Sequence, residues 1–347
     1  MAATTVDALV PDDARVEHHN AKIGAYNYHY LLANPPNGVT PVDTILLCHG
    51  WPDLSAAWRN QVPFLLSLNL RVIVPDMLGY GQTSAPHDFN EYSFKKLSAH
   101  MRELVEQVCG RNPRIILGGH DWGGAFVWRM AIWQSDIVSA VFSLNVPYTP
   151  ALPVYVDTEQ IVQRIPTFKY QLQLASPVAE QIIDKSPDRL RAFLNGIYGG
   201  KTPDGQFIFS AEHGINEENL DKGVGPAALM SQEWVDHYVR EFSRSGFHGP
   251  TNWYRTRKPN FEEELELTKI PGGFKFQIPC MVVMGEKDIA LPPKLADGME
   301  KWFAGSLRKE VALGVGHWAM WEDPVAINKL IGQFIGSVLD EKVQGKL

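Results

Sequence analysis

A chain of 347 residues, 45% hydrophobic and 20% charged, has the balance of a globular protein, which excludes a disordered or fibrous one and leaves room for one large core with an inserted subdomain. Its 32 Lys and Arg stand against 39 Asp and Glu, a formal charge of −7 that argues against nucleic acid or an anionic membrane as partner. The three cysteines, Cys48, Cys109 and Cys280, are too widely spaced for a disulfide framework or a zinc site, which points to a reducing compartment.

The amino-terminal stretch MAATTVDALVPDDARVEHH lacks the basic start and long apolar run of a secretory signal. No later segment approaches the roughly 18 uninterrupted apolar residues of a membrane span. A cytoplasmic location is therefore expected, and the terminal Gly-Lys-Leu only half matches the peroxisomal address Ser-Lys-Leu. The first forty residues are expected to supply edge strands. Thr44–Cys48 (TILLC), Arg71–Val74 (RVIV) and Arg114–Leu117 (RIIL) are short apolar runs bounded by Gly or Pro, as buried parallel strands tend to be. Ser93–Val108 places Phe94, Leu97, Met101, Leu104, Val105 and Val108 on one helical face. Further strands are expected at Val138–Leu144, Cys280–Met284 and Glu310–Leu313, and a closing helix at Pro324–Leu339. From about Pro147 to about Pro259 this alternation stops and Tyr, Gln and Pro accumulate with helical periodicity. The expected division is a core in two parts, 1–146 and 260–347, with a helical cap over 147–259 that covers the carboxyl ends of the strands.

Ile115–Gly124 (IILGGHDWGG) puts Asp121 in a Gly-x-Asp-x-Gly turn between an apolar strand and a helical run. Such an elbow pushes its central side chain into a cleft, and the helix start behind it favours negative charge. Alone, Asp121 also reads as a helix cap, the weaker of the two readings. As a nucleophile, a carboxylate needs no deprotonation at neutral pH and suits displacement at an sp³ carbon, giving an ester that must then be hydrolysed. His317, in Gly314–Trp318 (GVGHW), is the candidate base for that water. Asp288, in GEKD after the strand Cys280–Met284, would fix the imidazole tautomer, although by itself it also reads as a turn residue. Leu47–Asp53 (LCHGWPD) can turn the Trp51 amide toward that of Trp122, two donors for an oxyanion. His49 reads as a buttress of this loop.

The motifs HGWP, GGHDWGG, GEKD and GVGHW stand in the order found in epoxide hydrolases of the α/β-hydrolase superfamily, and the resemblance runs from about Val42 to Leu330. It implies an α/β-hydrolase core with a mostly parallel sheet and an inserted helical cap. It also implies that Tyr170 (IPTFKYQLQ) and Tyr254 (GPTNWYR) hold the epoxide oxygen, because an opening alkoxide leaves poorly unless it is hydrogen-bonded or protonated. On chemistry alone these tyrosines compete with Tyr148, Tyr155, Tyr198 and Tyr238 as aromatic packing. Trp122, Trp318 and Pro52 are expected to line the substrate, and by analogy Trp51–Pro52 is a candidate cis bond. No cofactor or metal is expected; the partners are a small hydrophobic epoxide and water, and the chain is expected to be a monomer or homodimer. Unlike bifunctional animal enzymes of this type, the chain is expected to carry no added phosphatase domain before Val42 and to have one activity.

Two rivals stay open. A haloalkane or haloacid dehalogenase shares the Asp nucleophile and His base but holds its halide with neutral N–H donors, so Tyr170 and Tyr254 weigh toward the epoxide. A noncatalytic small-molecule-binding relative shares the fold, which by itself does not decide function.

Overall fold

A computed structural model describes residues 6–345. Met1–Thr5 and the last two residues of the Gly-Lys-Leu terminus, Lys346 and Leu347, lie outside the described residues. The strands are β1 (Glu17–Ile23), β2 (Tyr26–Ala33), β3 (Asp43–Cys48), β4 (Leu70–Pro75), β5 (Ile115–His120), β6 (Val138–Leu144), β7 (Phe209–Ser210), β8 (Gly214–Ile215), β9 (Cys280–Gly285) and β10 (Leu307–Ala312). Eight of them form one sheet in the order β1-β2-β4-β3-β5-β6-β9-β10. Pairing is antiparallel for β1 with β2 and β2 with β4, and parallel everywhere else in this sheet.

The apolar runs became strands because they are buried on both faces: Ile45, Leu46, Ile116, Leu117, Val141 and Phe142 are all fully enclosed. Each such side chain contributes about 1.5–3 kcal/mol of transfer free energy. The first forty residues form β1 and β2 at one edge. Two strands differ in extent from expectation. β5 continues through Gly118, Gly119 and His120, which pair with Phe142, Ser143 and Leu144 of β6. Those glycines read as a turn, but a Cβ at Gly118 would lie 2.3 Å from the Phe142 ring, so the missing side chain is what lets the ring in. β10 begins three residues early, at Leu307, because Leu307, Arg308 and Lys309 pair with Cys280, Met281 and Val282, and an edge strand tolerates charge.

The helix Phe94–Cys109 buries Phe94, Leu97, Met101, Leu104 and Val105. The helix Trp122–Trp133 is apolar on most of its surface and buries nine residues, as expected of one enclosed beneath other elements. The closing helix is Pro324–Val343. Its start is fixed by Asp323, whose carboxylate accepts from the Ala326 amide, with Pro at the first turn.

The chain divides into two compact units. One holds the eight-stranded sheet and comprises residues up to Met77, Phe94–Pro153 and the chain from Glu263 onward. The other comprises Leu78–Ser93 and Val154–Glu262. In this second unit the helices Pro187–Ile197 and Gln232–Phe242 are capped by Ser186 and Ser231. They enclose an aromatic core in which Phe193, Phe242 and Phe247 interlock and Tyr198 meets Tyr238 edge-on. Leu78–Ser93 is tied into the unit by the Trp253 indole, which donates to the Leu78 carbonyl at 2.9 Å. Besides its helices the unit contains the short antiparallel pair β7 and β8. Two-residue strands carry no periodicity that a sequence reading can detect.

Candidate active site

The parallel strands deliver the candidate residues to one end of the sheet, the usual place for chemistry in open α/β folds. β3 ends at Cys48 and leads into His49-Gly50-Trp51, β5 leads into Asp121, β6 into Asn145, β9 into the turn bearing Asp288, and β10 into the loop bearing His317. Asp121 has a φ of +52°, a strained backbone for a side chain with a Cβ. It makes no side-chain cap bond to the helix that follows. Two glycines allow the turn: a Cβ at Gly50 would lie 2.4 Å from the Asp121 Cβ, and one at Gly123 would lie 2.2 Å from the Cys48 carbonyl oxygen.

The Trp51 amide donates to Asp121 Oδ1 at 2.8 Å, and the Trp122 amide also acts on this carboxylate. The other oxygen, Oδ2, stands 3.7 Å from His317 Nε2, beyond hydrogen-bonding reach. On the far side of the imidazole, Nδ1–H donates to Asp288 Oδ2 at 2.8 Å. Asp288 is satisfied at every turn: Oδ1 accepts from the Ala290 and Leu291 amides, and Oδ2 also accepts from Asn145 Nδ2 at 2.7 Å. Trp51–Pro52 is cis and Pro52 is buried. The Trp318 ring stacks on Trp321 at 5.0 Å and lies tilted against His120, while Trp122 meets Phe94.

Electrostatics follow from these distances. Burial alone would lower the His317 value, but the Asp288 charge and hydrogen bond, and then the Asp121 charge, outweigh it and lift it to about 9. Burial alone would raise the Asp288 carboxyl, and the His317 charge and bond hold it well below the carboxylate range. Burial raises the Asp121 carboxyl against the opposing pull of His317 and the two amides. The consequence for stability has a definite sign. Folding strengthens proton binding at His317, so this contribution is full below the ordinary value of 6.5 and is lost as pH rises through about 9. Thermal midpoints recorded across that window should fall with rising pH, and Asp288→Asn should flatten the decline.

His49 behaves as a buttress. Nε2 accepts from the Met77 amide at 2.9 Å, Nδ1 lies 2.9 Å from the Gly50 carbonyl, and burial lowers its value to about 4. Two neighbours escaped the sequence reading. Asn145, fully buried with a φ of +66°, bridges Asp288 and the Gly316 carbonyl. A polar residue directly after a fully buried parallel strand was its only signal. His120 donates from Nε2 to the His317 carbonyl at 2.8 Å, and burial lowers its value to about 3, so it stays neutral. In the sequence it is one of 11 histidines, and only the fold sets it under the base.

Tyr170 and Tyr254 lie in the second unit, both buried, with ring centroids 6.1 Å apart at 78°. They come from distant stretches, the helix Tyr170–Ala175 and the turn Trp253–Arg255. Tyr170 also meets Phe209 edge-on. Among the described residues, no group of three or more His, Cys, Asp or Glu is placed to hold a metal ion, and no helix is long and apolar enough to cross a membrane.

The sequence matches the family model of the alpha/beta hydrolase fold over residues 43–181. It is 46% identical over 340 residues to Epoxide hydrolase srdG of Neurospora crassa, covering 96% of this chain and 99% of that protein. The chain belongs to the epoxide hydrolase family. It is also 32% identical to Bifunctional epoxide hydrolase 2 of Rattus norvegicus over 83% of its own length but only 50% of that protein. Among solved structures, Epoxide Hydrolase A from Mycobacterium thermoresistibile superposes with a TM-score of 0.72 at 26% identity, over 92% of this chain and 98% of that one. The eight-stranded, mostly parallel sheet is thus the α/β-hydrolase core of an enzyme family whose named relatives support epoxide hydrolase activity.

Proposed function

We propose that this enzyme converts epoxides to vicinal diols through a covalent ester on Asp121. The observation that carries the reading is the division of labour between the two carboxylate oxygens: Oδ1 is bound by the Trp51 amide, and Oδ2 faces His317 without a bond to it. In the proposed sequence, Oδ2 attacks the less hindered epoxide carbon and the C–O bond opens. Tyr170 and Tyr254 hold the oxygen and supply its proton. Water then loses a proton to His317 Nε2 and attacks the Asp121 carbonyl carbon. The charge on Oδ1 is held by the Trp51 and Trp122 amides until the ester bond breaks; the departing diol oxygen takes the proton held on His317, and the proton left on the new Asp121 carboxyl returns to the tyrosine oxygen, which restores both residues.

The raised His317 value fits this order. Asp288, then Asp121 and last Glu322 lift it in the free enzyme; esterification removes the Asp121 charge, so the imidazole gives up its proton more readily at the step that needs a base.

The test is to incubate the protein with an aryl epoxide and, separately, a haloalkane panel, following diol and halide. Diol without halide is expected. Tyr170→Phe and Tyr254→Phe should each slow ring opening by about 10²-fold, the lower end of a general acid's contribution because one hydroxyl remains, and the double variant more. Halide without diol would reassign the chain to the dehalogenases and leave both tyrosines as packing. An epoxide bound but not turned over would favour the binding-protein reading.

A further inference from the structure

We infer that Glu322, which neither the motifs nor the ester chemistry singles out, is a positioning residue for His317. The inference rests on the covalent-ester reading. His317 sits on a loop between β10 and the short helix Ala319–Glu322 that precedes the closing helix, and a loop alone holds a side chain less precisely than a regular element does. The Glu322 carboxylate grips this loop on both sides of the histidine: Oε2 accepts from the Gly316 amide at 2.7 Å and Oε1 from the Trp318 amide at 3.0 Å. These are charge-assisted bonds, the stronger kind. The Glu322 amide in turn donates to the Trp318 carbonyl at 2.9 Å, closing residues 318–322 into a ring.

Two further observations fit a built clamp. A Cβ at Gly316 would lie 3.0 Å from Glu322 Oε1, so the residue before His317 is small where the carboxylate approaches. The next residue, Asp323, caps the helix Pro324–Val343, which anchors Glu322 to the longest helix of the fold. The loop is also held from below, by His120 on the His317 carbonyl and Asn145 on the Gly316 carbonyl. Glu322 supplies the restraint from the other side, on the flanking amides. Its charge also acts on the imidazole, in the raising direction.

The reading predicts an uneven effect on the two chemical steps. Alkylation of Asp121 uses no proton transfer to His317, whereas ester hydrolysis depends on where Nε2 points. In Glu322→Gln one acceptor is kept, but an N–H₂ group faces the other amide; Glu322→Ala removes both. Rapid-quench single turnovers of an aryl epoxide, with the alkyl-enzyme followed by intact mass, separate the steps. Ester hydrolysis should slow by about 10- to 100-fold, the scale of a misplaced catalytic group, while alkylation changes by less than about twofold and ester accumulates. Thermal unfolding of both variants checks that they are folded, and Gln serves if Ala is not. Unchanged hydrolysis, or both steps slowed in parallel, would overturn the inference. Absence of any ester even in His317→Gln would instead overturn the covalent reading beneath it.

Discussion

Asp121→Ala should abolish diol formation, by at least about 10⁴-fold in kcat, the scale on which removal of a covalent nucleophile is felt. Among the described residues of the site, no other carboxylate is arranged to replace it. Asp288 is the nearest alternative in the site, and its oxygens are consumed by His317, Asn145 and the Ala290 and Leu291 amides. Its orientation toward Nδ1 places the imidazole between it and Asp121. The donors of the Trp51 and Trp122 amides would remain in the variant with no charge to hold, so binding and the oxyanion site survive without a reacting atom. The measurement is diol production from an aryl epoxide by wild type and variant, with folding checked by thermal unfolding. A variant that retained activity within about tenfold would show that water attacks the epoxide directly and that Asp121 only shapes the elbow.

The second large effect is kinetic rather than absolute. His317→Gln should leave the first step standing and block the second, so that mixing with epoxide gives one equivalent of consumed substrate per enzyme and then near silence. Steady-state turnover should fall by about 10²–10⁴-fold, the contribution expected of a positioned general base. Mass spectrometry of the intact protein should find the epoxide's mass added, and digestion should place it on the peptide containing Asp121. In wild type, the pH dependence of ester hydrolysis should report an imidazole titrating below the free enzyme's value of about 9, because the Asp121 charge has been neutralised by the ester. A limb at or above that value would mean the charge of Asp121 does not govern the base.

The candidate site residues that were legible in the sequence are those whose surroundings are local in the chain. Asp121 sits among Gly118, Gly119, Gly123 and Gly124, and a turn that must bring backbone segments within van der Waals distance announces itself by glycine. Asp288 follows β9, whose apolar run Cys280–Met284 is continuous, and a buried parallel strand needs such a run whatever it pairs with; His317 follows the charged edge strand β10 and is marked instead by the glycines of its own loop, Gly314 and Gly316. By the same logic β3, β4, β6 and β9 were found nearly to the residue. The periodicity of Phe94–Cys109 required no knowledge of its neighbours either.

What the sequence could not decide depends on partners far away in the chain. The end of β5 is a strand only because Phe142 covers Gly118. Leu307–Lys309 is a strand only because β9 offers it an edge. Asn145 and His120 are ordinary polar residues until the fold sets one under Asp288 and the other under the His317 backbone. Glu322 is an ordinary exposed glutamate until the chain turns back onto Gly316. The sequence by itself singled out the candidates for the reactive atoms, since reactivity is a property of a side chain and its immediate turn. Only the tertiary structure decided how those atoms are aimed and charged, because orientation and the energetic cost of burial are set by groups that chain distance does not reveal.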